Sequence, residues 1–216
     1  MAKTKTKNPL SMLRNIYLGK FIVFDGLDGS GQSTQLGLLR DFLIQKGFQV
    51  VTTKEPTPFS EAGKKIRLVL EKKIKANPKE LQELFAEDRK EHLDNTVIPA
   101  LKEGRYVISD RYFFSSFAYG AADGLDLDWL IKINDNFLQP DLNFFLKVKA
   151  ETCIARIEKR GTEKTLFEKT ERLARVWGKY ELLPSRFENI VIIDGEKPIN
   201  EVFEDVKKEV SAQLLK

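Results

Sequence analysis

The chain holds a single cysteine, Cys153, so no intrachain disulfide can form. That scarcity fits a reducing compartment, and a cytoplasmic location is the expectation. Cys153 lies among apolar neighbours in an expected helix and reads as core rather than nucleophile. No stretch approaches the ~20 consecutive apolar residues that a membrane-spanning helix needs, so no membrane partner is expected. The opening M-A-K-T-K-T-K-N-P-L has no apolar segment of the kind a secretory signal carries. Acidic residues are missing from residues 1–19, where Lys3, Lys5, Lys7 and Arg14 stand. Those four account for the whole formal charge of +4, and the body from Lys20 onward is neutral. A nucleic-acid binder should carry a basic stripe on its folded body, so that class is not expected. The tail, 1–19, reads as basic and disordered, and 20–216 as one domain. The body shows neither an internal repeat nor a low-complexity segment.

Residues Lys20 to Gly47 organise the rest. Phe21 to Phe24 is an apolar, branched run suited to a buried parallel strand. A turn follows with Gly26, Gly29 and Gly31, and then Leu36, Leu39 and Leu43 recur at helical spacing until Gly47. Strand, glycine turn and helix form the context of a phosphate-binding loop. The glycines let backbone N–H groups turn inward, and the helix start adds its positive dipole end. The usual pattern is G-x-x-x-x-G-K-[ST]. Gly26, Gly31 and Ser33 fit it, with Thr34 as a second hydroxyl, but the lysine position is Gln32. The plainer reading is a turn that joins strand to helix and binds nothing; three glycines so close together cost chain entropy without a packing return.

Four more apolar runs read as strands: Phe48–Thr53, Tyr106–Asp110, Leu142–Val148 and Ile190–Asp194. Between them helices are expected over about 60–75, 79–101, 115–121, 128–137, 151–160, 167–183 and 199–215. The fold class is therefore α/β: a five-stranded parallel sheet with helices on both faces, a three-layer sandwich. Ligands in such sheets bind beyond the carboxyl ends of the strands. The polar motifs fall there: the glycine turn, Glu55, Asp110-Arg111 and Asp194-Gly195.

Phosphoryl transfer needs a phosphate cradle, a metal site, cations for the moving group and an acceptor pocket. Ser33 and Asp110 offer oxygens suited to a hard cation such as Mg²⁺; a helix N-cap is the other reading of Asp110. Phe85 and Arg89 share one face of the 79–101 helix, a face otherwise apolar. A ring with a guanidinium one turn on suits a flat base, while an internal ion pair would also account for Arg89. His92 reads as a surface or pairing histidine. Arg156, Lys159, Arg160 and Lys164 cluster around Gly161. They read as a mobile lid over about 156–168 bringing cations to phosphates, or as a solvated helix end.

Together these residues resemble the thymidylate kinases, a family of P-loop nucleoside monophosphate kinases. The resemblance spans Lys20 to Leu215 and rests on F-D-G-L-D-G-S-G-Q-S-T, K-E-P-T, F-A-E-D-R-K-E-H, S-D-R-Y-F-F-S-S-F-A-Y, Q-P-D-L-N-F-F-L-K-V, R-I-E-K-R-G and F-E-K-T-E-R-L-A-R-V-W-G-K-Y in order. It implies transfer of the ATP γ-phosphoryl group to dTMP with Mg²⁺, giving dTDP for dTTP synthesis. It implies ATP binding by Gly26, Leu27, Asp28, Gly29, Ser30, Gly31, Gln32, Ser33 and Thr34, and a metal at Ser33 and Asp110. Asp28 would hold the sugar 3′-hydroxyl, Phe85 would stack on thymine and Arg89 would bond its edge. Arg111 would grip the acceptor phosphate, Ser116 would lie near the base, and Tyr119 would crowd the 2′ position. Glu55 joins the substrate set, and Arg156 and Arg160 match lid arginines beside Arg111, Asp110 and Gln32 at the reacting centre. Homodimers packed through long helices are the family habit. The sequence departs from the family pattern at Gln32, at Gly120 where glutamine often follows the tyrosine, and at Glu163-Lys164, where Asp-Arg is often found. Two other readings follow: a nucleotide-binding protein with weak or lost transfer, and a kinase for another nucleoside monophosphate.

Overall fold

The apolar runs become a parallel sheet of five strands: β1 (Lys20–Gly26), β2 (Val50–Lys54), β3 (Tyr106–Asp110), β4 (Leu142–Lys147) and β5 (Ile190–Asp194). Their spatial order is β2-β3-β1-β4-β5. The structure, a computed structural model, describes residues 12–159 and 166–215, with the backbone alone at 166–169. The helices are α1 (Gln32–Gln45), α2 (Glu61–Leu70), α3 (Pro78–His92), α4 (Ile98–Lys102), α5 (Phe113–Ala122), α6 (Leu127–Lys132), α7 (Ala150–Glu158), α8 (Leu166–Tyr180) and α9 (Ile199–Leu214).

Side chains alternate across a strand, so β1 feeds two cores. Ile22 and Phe24 face Leu36, Leu39 and Leu43 of α1 and Val202, Val206 and Val210 of α9. Phe21 and Val23 face the other way, toward Leu101 of α4, Phe113, Phe114 and Phe117 of α5, and Val176 and Tyr180 of α8. The three-layer expectation is met.

The details differ in instructive ways. Phe48–Thr53 was expected to be a buried strand, yet β2 begins at Val50 and is only half-buried, and Phe48 is 37% exposed. It lies at the sheet edge, where one side has no strand to cover it. The single helix expected over 79–101 is α3 and α4 joined through a π-helical stretch, Leu93–Val97. Its start is fixed by Pro78 in the first turn and by Asn77 and Glu80, each bonding the other's backbone N–H. The helix expected over 128–137 ends at Lys132. The tail expected to end at residue 19 already packs from Met12: Met12 is buried, Leu13 bridges Leu138, and Asn15 donates to Asp141 at 2.6 Å. Residues 1–11 lie outside the described residues.

Register sets the site. Phe24 is level with Asp110, Asp110 with Lys54, and Gly26 with Leu146. The chain leaves β1 for one side of the sheet and later returns to the other, so the loops after β1 and β3 open toward the same crevice.

Candidate active site

The turn after β1 folds as a cradle. Gly29 has φ 87°, and a Cβ there would stand 2.7 Å from the carbonyl of Cys153, so α7 seats directly beneath the loop only because residue 29 is glycine. Gly31, φ 103°, opens α1. Leu27 is fully buried, so its backbone alone belongs to the loop surface, and Ser30 is 3% exposed. Asp28, Ser33 and Thr34 are exposed. Over the loop lies a polar cavity of about 170 Å³ lined by Gly29, Gly31, Gln32, Ser33 and Thr34, with Asp28, Asp110 and Arg111 at its side. Ser33 Oγ donates to Asp110 Oδ2 at 2.5 Å. Asp110 does not cap α5, whose N-cap residue is Tyr112 with no side-chain bond. Two hard oxygens side by side next to a phosphate cradle fit a Mg²⁺ that takes its remaining ligands from phosphate and water.

Gln32 is 5% exposed, and its Nε2 donates to the carbonyl of Gly26 at 3.2 Å. That carbonyl also receives Arg111 Nη1 at 3.0 Å and Tyr180 Oη at 3.4 Å. The side chain in the lysine position therefore turns inward and ties the loop to its own start. Arg156 reaches the loop carbonyl of Ser30 at 3.4 Å and the carbonyl of Gly195, just past β5, at 3.1 Å. Arg160, Gly161, Glu163 and Lys164 lie outside the described residues.

Arg111 adopts φ 74°, a conformation costly for a bulky residue. Its N–H is held by Phe24 O at 2.8 Å and its carbonyl by Ser109 Oγ at 2.8 Å. The turn swings the guanidinium back over β1, where it pairs with Asp28 at 2.7 Å and reaches Ser115 Oγ at 2.9 Å. Tyr119 lies under it, with the guanidinium carbon 5.4 Å from the ring centre. The Tyr119 hydroxyl accepts from the N–H of Asp28 at 3.2 Å, and burial pushes its pKa up to about 12.

Beyond Arg111 lies a second cavity of about 300 Å³. Phe85 and Leu81 of α3, Pro56, Leu70 and Tyr112 give it apolar walls, and Glu55, Arg89, Ser116 and Tyr119 also line it. Arg89 is 1% exposed, lines the cavity and forms the internal ion pair. It donates to Glu55 at 2.7 Å, Asn134 at 2.5 Å and Ser116 at 3.2 Å. His92 is fully buried and pairs with the other Glu55 oxygen at 3.0 Å and with Thr53 Oγ1 at 2.7 Å. A buried guanidinium costs several kcal/mol unless its charge and its N–H groups are met. Glu55 supplies the charge, and Asn134 and Ser116 fix the plane.

Several residues of this site have no expectation behind them. Asp25 interrupts an apolar strand and is fully buried. Burial pushes its pKa up to about 6 against the hydrogen bonds it accepts from Ser115 at 2.5 Å and Asn143 at 3.1 Å. Ser115 thus links Asp25 to Arg111. Arg172 of α8 forks onto Asp123 at 2.8 and 3.1 Å, lines the second cavity and brings its guanidinium carbon 5.8 Å from the Tyr119 ring centre. An acid inside an apolar strand was a visible signal for Asp25; nothing in the sequence marks Arg172 apart from other helical arginines. Cys153 is buried, with its pKa pushed up to about 12 by burial, and is core as expected.

A phosphate cradle on a five-stranded parallel sheet, joined to a second cavity by a shared arginine, defines a P-loop kinase type of fold. The sequence model of the thymidylate kinase family matches residues 24–206. A probable thymidylate kinase of Pyrococcus horikoshii is 42% identical over 203 residues, covering 91% of this chain and 98% of that protein. Another, of Thermococcus onnurineus, is 41% identical over 207 residues, covering 91% and 99%. The thymidylate kinase of Caldicellulosiruptor saccharolyticus is 37% identical over 204 residues, covering 92% and 98%. The chain belongs to the thymidylate kinase family.

Proposed function

We propose that this protein transfers the γ-phosphoryl group of ATP to dTMP, yielding ADP and dTDP. The observation that carries the reading is that Asp28 and Arg111 line both cavities. A donor held in the loop and an acceptor held beneath Phe85 would meet at Arg111. An oxygen of the acceptor phosphate attacks the γ-phosphorus, the bond from that phosphorus to the β–γ bridging oxygen breaks, and ADP leaves with the electron pair. Little covalent work falls to the protein; orientation and neutralisation of charge are its part. The loop N–H groups of Gly29, Gly31, Gln32 and Ser33 cradle the donor, while those of Ser30 and Thr34 bond the loop's own carbonyls. Ser33 and Asp110 would hold Mg²⁺, which supplies charge compensation at the donor phosphates when bound. Arg111, pre-set by Asp28 and Ser115, grips the acceptor phosphate, and Arg156 stands at the edge of the loop.

In the acceptor cavity Phe85 stacks on thymine, Arg89 and Ser116 meet its edge, and Glu55 keeps Arg89 in place. Asp28 takes the 3′-hydroxyl and Tyr119 fills the 2′ space. The neighbouring N–H of Asp28 holds the Tyr119 hydroxyl, so the ring is a rigid wall. A homodimer belongs to the same reading. A cytoplasmic location also belongs to it; no described helix is long and apolar enough to cross a membrane.

The test is purified protein with ATP and Mg²⁺ and a panel of nucleoside monophosphates, followed by ADP formation. ADP released with dTMP well above the other acceptors is the expected result. Release with a different monophosphate would reassign the acceptor, and no release with any would leave a nucleotide-binding protein.

A further inference from the structure

Among the described residues, the Gln82 side-chain oxygen and the Tyr112 hydroxyl, both from side chains that line the acceptor cavity, have no hydrogen-bond partner. Gln82 of α3 is 4% exposed and lines the cavity beside Phe85 and Arg89. Its Oε1 is enclosed, with no hydrogen-bond partner among the described residues. Buried acceptors are nearly always met, and an unmet one calls for an explanation. Positions 82, 85 and 89 fall on one helix face at spacings of three and four, the face that lines the cavity. Arg89 is complementary: its Nη1 and Nη2 are engaged, but its Nε–H is buried with no partner among the described residues. One unmet acceptor and one unmet donor therefore belong to the helix face that carries the ring on which a base would stack.

A second, independent feature maintains that arrangement. Gly120 of α5 faces Gln82 across the cavity wall. A Cβ at residue 120 would lie 3.3 Å from Gln82 Cγ and 2.9 Å from a methyl of Leu130. The absence of a side chain at 120 leaves Gln82 the room it occupies.

We infer that Gln82 is a specificity-determining residue of the acceptor site: its Oε1 accepts the N3–H of a pyrimidine-2,4-dione while Arg89 donates to an adjacent ring carbonyl. This rests on the proposed acceptor being a thymine nucleotide. The imide edge presents N–H beside C=O, which matches acceptor beside donor. Cytosine presents a bare N3 acceptor beside an amino donor, and would set acceptor against acceptor at Gln82 and donor against donor at Arg89. A site built to hydrogen-bond a ligand N–H rejects the analogue that lacks it, because its own buried group is then left unpaired.

The test measures binding by calorimetry, without ATP, for dTMP and for its N3-methylated analogue, to wild type and to Gln82→Met, which keeps the bulk and removes the acceptor. Gln82→Leu is run in parallel in case the methionine variant does not fold, and thermal unfolding is followed for all. Wild type should bind the N3-methyl analogue about tenfold or more weakly than dTMP, the scale of one buried hydrogen bond. The variant should lose about that factor for dTMP, bind the analogue no more weakly than wild type does, and unfold at or above the wild-type temperature. A variant that binds dTMP as tightly as wild type, or that loses the same factor for both ligands, overturns the inference. Turnover with ATP and Mg²⁺ is measured separately on wild type. No ADP with dTMP alongside the expected binding pattern would overturn the proposed activity and keep Gln82 as a base reader; normal turnover with unchanged binding would do the reverse.

Discussion

The two cavities joined at Arg111 are built on opposite principles. The donor side is mostly backbone: glycines, inward N–H groups and an exposed hydroxyl–carboxylate pair, open to solvent and with little apolar lining. The acceptor side is mostly side chains, apolar walls beside the buried Glu55–Arg89 ion pair and the His92 ring that hydrogen-bonds Glu55. A triphosphate carries its own charge and arrives with a hydrated cation, so its site needs only N–H groups and a place for the metal. A base is flat and nearly neutral, so it is recognised by buried polar atoms whose geometry is held by other buried polar atoms. The acceptor side should therefore tie recognition to folding stability, while the donor side separates them.

The largest effect expected from that contrast is Glu55→Ala. It leaves the Arg89 guanidinium buried without a counter-charge, and unfolding by denaturant should show a loss of about 3–5 kcal/mol. The matched change on the donor side, Ser33→Ala, removes a hydrogen bond that is open to solvent and should cost under ~1 kcal/mol of stability while still lowering turnover. Equal stability losses at the two positions would erase the distinction. Next comes Arg111→Ala, at the junction: it should lower kcat by about 10²–10³, the usual effect of removing one preorganised stabilising group, with ATP binding largely kept. A kcat within a factor of two of wild type would remove Arg111 from the reacting centre.

These contrasts were only partly visible in the residues. Strands β1, β3, β4 and β5 follow directly from apolar runs, and the cradle follows from Gly26, Gly29 and Gly31 between a strand and a helix. β2 misled because Val50-Val51-Thr52-Thr53 has the composition of a buried strand, and composition does not report which strand lies at the edge. The π-helical stretch at Leu93–Val97 leaves no mark in the hydrophobic pattern. Arg89 was conspicuous as a cation on an apolar face, but its partners come from the β2–α2 loop, from α5 and from the turn after α6, which only the tertiary fold brings together. The inward turn of Gln32 could not be read either, because it depends on where the Gly26 carbonyl points.

A further prediction concerns Asp25, which lies under the junction. Its folded pKa, about 6, is raised above the ordinary 3.8. The folded protein therefore holds this proton more tightly than the unfolded chain does. The stability Asp25 contributes is complete below pH ~4 and is lost as pH rises through ~6, on the order of 3 kcal/mol in all. Asp25→Asn cannot ionise and should not suffer that loss. The difference in unfolding free energy between Asp25→Asn and wild type should shift in favour of the variant by about that amount between pH 4 and pH 7. A pH-independent difference would mean that Asp25 titrates in the folded protein as it does in the unfolded chain.

The smallest effect is expected at Gln32. A lysine there would lose the bond from Nε2 to the Gly26 carbonyl, but that oxygen keeps two donors, Arg111 and Tyr180. The cost in stability should stay below ~1 kcal/mol, because no buried acceptor is left unmet. Lysine is long enough to leave the buried position and place a full charge in the cavity over the loop, where glutamine offers an amide already half-committed to the backbone. Gln32→Lys should therefore keep or raise kcat, with an unfolding temperature within a few degrees of wild type. The wild type, lacking that charge, should lean on its arginines, and Arg160→Ala should remove most of its turnover. In the Gln32→Lys background the same arginine substitution should cost less, since two cations near one phosphate substitute for each other in part. The double-mutant cycle in kcat reads this coupling directly. A sharp fall in turnover for Gln32→Lys alone would show that the amide's hold on Gly26, rather than a missing charge, is what the donor side needs at this position.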